Sequence, residues 1–136
     1  MKVLFDAIMV KYTGVTPTWT PAAVACTGGL HREFAPQKKV MPYAVMHHIS
    51  GNPEDTFTER GETYLIQFNI YTDTTSATTL DTIASAFMTL FDWCTLTVTG
   101  YYFIDMHRVL QTCYWNDELK NWTYVLQYRI QIQKTP

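Results

Sequence analysis

Four histidines, three cysteines and twelve acidic residues are the groups in this 136-residue chain that could do chemistry. His47 and His48 are neighbours in a segment that alternates as a strand. Their rings should point to opposite faces, so they cannot ligate one metal together. Asp105 and His107 are two apart and share a face, which offers two ligands. A metal-dependent hydrolase would need a third, and His47 is the residue to weigh for it. No HExxH, CxxC or EF-hand loop is present. There is no GxSxG for an activated serine. Cys113 stands six residues from His107, roughly 20 Å at strand rise. Glu54, Asp55, Glu59 and Glu62 cluster, but in a polar segment where solvation accounts for them. Gly28-Gly29 alone is no phosphate loop, and Lys38-Lys39 is too little charge for a nucleic-acid patch. The aromatics do not interleave with Lys or Arg, as a base-stacking groove would require. The reading is therefore a chain with no catalytic residue, no metal and no cofactor, with the Asp105–His107–His47 hydrolase as the alternative of another class.

Composition sets the frame. The chain is 47% hydrophobic, 15% aromatic and 16% charged, which excludes intrinsic disorder. A net charge of −2 is not that of a general nucleic-acid binder. No apolar run approaches the roughly 18 residues of a membrane span. The segment MKVLFDAIMVKY carries Asp6 and no small-residue cleavage site, so no secretory signal is expected. Cys26, Cys94 and Cys113 are an odd number without paired spacing and read as reduced thiols of a protein assembled in cytoplasm. Length alone predicts one domain, 1–136, with a core that needs no staple.

The elements that must position these groups follow from periodicity. Leu4, Ala7 and Ile8 make a helical stripe over residues 2–12, stopped by Gly14. Residues 15–42 are broken by Pro17, Pro21, Pro36 and Pro42, with a short helix expected over 22–27 and an edge strand over 30–34. Residues 43–50 alternate as a strand. Residues 62–71 do so more clearly, with Tyr64, Ile66, Phe68 and Ile70 on one face. Between them lies a polar stretch, 51–61, expected as a long hairpin loop with Phe57 at its centre. Leu80, Ile83, Ala84, Phe87, Met88, Leu90 and Phe91 predict a helix over about 76–93. A short strand is expected at 95–99, then two long ones over 101–115 and 122–133. A change of parity between Met106 and Val109 predicts a bulge near His107–Arg108. The fold class expected is α+β. A mostly antiparallel four- to five-stranded sheet carries two main helices on one face, and its other face is rich in Gln, Thr and Arg.

With catalysis set aside, surface remains. Many aromatics and an uncharged polar strand face suit protein–protein contact. Core filling accounts for most of the Tyr and Trp residues, but not for Phe57 among charges.

The run Met41-Pro42-Tyr43-Ala44-Val45-Met46-His47-His48-Ile49-Ser50-Gly51 resembles a strand of phage tail-completion proteins. The next strand, from Glu62 to Tyr71 with Val/Ile-Gln-Phe-x-Ile-Tyr character, is similar to theirs, as is the helix ending Leu90-Phe91-Asp92. The resemblance covers about residues 38–133 in order; residues 13–37 are longer and richer in proline than the family pattern. It implies a tail terminator of a long-tailed, siphovirus-type phage. Such a subunit forms a ring, a homohexamer, that caps the tail tube, stops its polymerisation and joins the tail to the head-neck. Its partners would be itself, the major tail tube protein and a neck or connector protein. DNA would only pass through the lumen, without sequence-specific binding, and no membrane is involved. It would sit in the virion at the head-proximal end of the tail. A head-side stopper or adaptor is the alternative. Asn52, Glu54, Asp55, Phe57, Glu59 and Arg60 are the expected interface, with Arg129 on the polar sheet face as a further contact or lumen residue.

Overall fold

The computed structural model describes residues 2–15, 18–19, 26, 28–34, 41–72, 77–118 and 120–136. In chain order these form α1 (Lys2–Thr13), β1 (Gly14–Val15), β2 (Thr18–Trp19), β3 (Leu30–Arg32), β4 (Tyr43–Asp55) and β5 (Arg60–Thr72). Then come α2 (Ala77–Phe91), β6 (Tyr101–Asn116) and β7 (Asn121–Lys134). Strands β1 and β2 make a small separate pair. The main sheet has five strands in the order β3-β4-β5-β7-β6. β3 runs parallel to β4, and every other pairing is antiparallel. This is the expected α+β fold. The short helix expected over 22–27 lies outside the described residues, apart from Cys26.

Both helices cover one face of the sheet. The helical stripe of α1 buries Leu4, Ala7 and Ile8, with Phe5 and Tyr12 beside them. That of α2 buries Leu80, Ile83, Ala84, Phe87 and Phe91. Against them the sheet sets Ile66, Phe68 and Ile70 of β5 and Leu126, Tyr128, Ile130 and Ile132 of β7. Phe68 is the hub. Its ring centroid lies 5.0 Å from Phe91, 5.8 Å from Phe87 and 5.8 Å from Tyr128. Edge-on and offset contacts of this kind add to the burial of each ring.

Three expectations change. Residues 51–61 are not a loop. β4 continues to Asp55, β5 begins at Arg60, and the pairing holds to Asp55↔Arg60. Only the turn 56–59 is unpaired, closed by Thr56 N–H to Glu59 O at 2.8 Å and Glu59 N–H to Thr56 Oγ1 at 3.1 Å. Polarity had suggested a loop there, but a strand whose two faces are both wet is polar throughout.

Residues 95–99, expected as a strand, are irregular. Leu96 and Val98 plug the core instead, and Gly100, at φ +84°, turns the chain into β6. In β6 the register shifts twice, between Phe103 and Asp105 and between Arg108 and Leu110. The second shift is the expected bulge. The first reverses parity a few residues earlier, so Phe103 and Met106 face the core while Tyr102 and Ile104 are exposed.

Candidate functional site

The residues expected at an interface lie where the sheet outruns its helices. From Asn52 to Arg60 every side chain is exposed, and Phe57 stands fully in solvent at the turn. The overhang is stiff rather than trailing. β5 is flanked on its other side by β7 as far as Gly61↔Gln133, and Gln131 Nε2 donates to Glu54 Oε2 at 3.1 Å. Gly61 is required here: a Cβ at this position would sit 2.7 Å from the Glu54 carbonyl oxygen. Arg129 is exposed in the middle of β7, between Leu65 and His107, and is not part of the hairpin tip.

The sheet face away from the helices is polar, as expected. A ladder of amides crosses it: Gln127 Nε2 donates to Gln67 Oε1 at 2.8 Å, and Gln67 Nε2 to Asn69 Oδ1 at 2.8 Å. Asn69 Nδ2 completes it with Tyr71 OH at 3.3 Å. Each amide thus has a partner.

The histidines fall as the alternation predicts. His47 faces the polar side, its Nδ1 3.6 Å from Glu33 Oε2, and His48 faces the helices beside Phe5 and Tyr64. Asp105 and His107 do share a face, with Oδ2 and Nδ1 3.4 Å apart. His47 cannot join them, because β5 and β7 lie between, a separation of about 14 Å at sheet spacing. Among the described residues no group of three or more His, Cys, Asp or Glu could hold a metal. The groove of about 410 Å³ that holds Glu33 and His47 is otherwise lined by Phe34, Met41, Tyr43, Val45, Tyr71 and Asn121, and none of these is a serine or cysteine nucleophile. All three cysteines are free, Cys26 buried and Cys113 exposed. No helix among the described residues is long and apolar enough to cross a membrane.

The sequence reading missed the other edge of the sheet. Along the outermost strand, Tyr102, Ile104, Val109, Leu110 and Tyr114 are exposed. Trp93 joins them. Its N–H donates to Met106 O at 3.0 Å and its indole stacks on His107 at 5.2 Å. Trp93 itself is 73% exposed and sits at φ +54°, a left-handed conformation that a bulky residue rarely adopts. The signal was in the sequence: Tyr101, Phe103 and Leu110 fit no single face of a regular strand.

A scan against protein-family models finds no match, and a search of curated proteins finds none. Solved structures do match. The chain is similar to a chain of the structure titled "Virion of native gene transfer agent (GTA) particle", at a TM-score of 0.75 and 12% identity. The likeness covers 96% of this chain and 94% of that one. At this identity it establishes a shared fold over nearly the full length of both.

Proposed function

We propose that this chain is a structural virion protein of a phage-like particle, and within it a tail terminator. A ring of copies, a hexamer, caps the tube, ends its growth and presents a surface to the neck. The observation that carries this reading is the end-to-end likeness in fold to a chain of a gene transfer agent virion. Its support at the finer level is the resemblance of the β4, β5 and α2 segments to tail-completion proteins, in order and spacing. The polar sheet face and the projecting turn suit such a subunit, which works by shape and needs no bond-making residue. In this role the hairpin reaches a neighbouring copy or the tube ring, with Phe57 as anchor and Glu54, Asp55, Glu59 and Arg60 setting register.

The test is the double variant Phe57→Ala with Arg60→Glu, introduced into the particle's own genes. Counting capped tails by electron microscopy should show a marked loss. Normal capping would remove the hairpin from the interface. Tails of correct length that lack heads would instead favour the head-side stopper or adaptor.

A further inference from the structure

The exposed apolar side chains are not scattered. Of the ten large exposed hydrophobic residues among those described, six follow β6: Trp93, Tyr102, Ile104, Val109, Leu110 and Tyr114. Three follow the opposite border, with Phe34 just after β3, Ile49 in β4 and Phe57 at the hairpin turn. The tenth, Val10, lies on α1.

Both borders also end in free backbone. β6 is the last strand of the sheet, and past the bond from Trp93 N–H to Met106 O no strand among the described residues lies on the outer side of its residues 107–115. On the other border β3 is three residues long. It covers β4 only near Ala44–Met46, with Glu33 N–H reaching Met46 O, and among the described residues no strand covers the outer side of residues 49–55. Natural sheets blunt such edges with Lys, Pro or inward charge. Residues 109–116 of β6 read Val-Leu-Gln-Thr-Cys-Tyr-Trp-Asn, with no charge, no Pro and no Gly. An edge left this sticky is kept for a partner.

We propose that copies of this chain join edge to edge. The free edge of β6 in one copy takes the overhanging edge of β4 from the next as an added strand, and the turn with Phe57 packs alongside. The inference rests on the ring reading above and names the two surfaces that would build it. Pro53 has no N–H to give and Glu54 and Asp55 are charged, so the added strand is the uncharged run Ile49–Asn52; its four residues span about 13 Å, which the outer edge of β6 can accommodate. Six half-exposed side chains of this size offer roughly 600 Å², against the roughly 800 Å² per partner of a stable interface. The two borders differ, so their contact is head-to-tail, which builds a ring where the rotation from copy to copy closes and an open filament where it does not. Pairing β6 with itself about a two-fold axis would leave Phe34, Ile49 and Phe57 bare.

Exposed Cys113 on β6 supplies the probe. Ser50→Cys, Asn52→Cys and Glu54→Cys, each made singly, place a second thiol along the β4 edge. After mild oxidation at least one should give a non-reducing ladder that extends beyond dimer, and adding Cys113→Ser should abolish it. Wild-type protein that stops at a Cys113–Cys113 dimer, with no ladder from any variant, overturns the proposal in favour of two-fold pairing. A second measurement avoids cysteines. Leu110→Lys with Tyr114→Lys changes only exposed side chains, so the melting temperature should hold within a few degrees while the assembled mass by light scattering falls to that of one subunit. Rings of unchanged mass in that variant, without ladders, overturn this inference alone. Wild-type protein that forms no ring at any concentration overturns the ring reading as well.

Discussion

At the scale of single residues, the tightest polar device is the chain Tyr128–Asp92–Arg108. Tyr128 is fully buried, and its hydroxyl donates to Asp92 Oδ1 at 2.6 Å; Arg108 Nη2 lies 3.4 Å from Asp92 Oδ2. This fastens the end of α2 to β7 and β6. Burial, then the bond to Asp92, raises the Tyr128 hydroxyl well above the ordinary tyrosine range, so it stays protonated and donating. Tyr128→Phe should cost about 1–3 kcal/mol, because it leaves a carboxylate oxygen short of a donor, and a denaturant titration will read it.

The thiols give a second prediction at this scale. Burial pushes the Cys26 thiol from 9.0 up to about 11. A raised value favours the folded state below about 9, and that contribution is lost as pH climbs from 9 toward 11. Melting temperature should therefore fall over that window, and Cys26→Ala should flatten the fall. A slope that Cys26→Ala leaves unchanged would assign the effect elsewhere.

Elements show where sequence reading works and where it stops. The stripe in α2 and the alternation in β5 and β7 were legible because each buries one face, and burial writes a period into the sequence. The overhang of β4 was not legible. Exposed on both faces and carrying Glu54, Asp55 and Pro53, it reads as a loop, and only its pairing with β5 makes it a strand. β6 was half legible: one bulge shows as a change of parity, while two bulges five residues apart, at Ile104 and Val109, cancel each other.

The hairpin's stiffness rests on Gly61. Gly61→Ala should destabilise the protein by about 1–3 kcal/mol and raise amide exchange in residues 50–55 first, since the added Cβ meets the Glu54 backbone. Trp93 should behave in the opposite sense. Trp93→Gly relieves a left-handed strain of about 1–2 kcal/mol, so the subunit should lose little or no stability while assembly weakens. A large loss of stability would make Trp93 a packing residue rather than a contact.

On the scale of the whole molecule, one layer of helices and one sheet leave three surfaces of different character: a polar amide-laddered face, and two apolar borders that do not match each other. Such a body is suited to repeat around an axis. The chain shares its fold with a chain of a gene transfer agent virion, and the terminator role proposed above would set such a body at the end of a tube. The most direct test is to delete this chain from a particle-producing cell and measure tail-tube lengths and head attachment by electron microscopy. A terminator predicts tubes of unregulated length and heads without tails, both restored by the wild-type chain. Tails of normal length joined to heads in its absence would contradict the assignment.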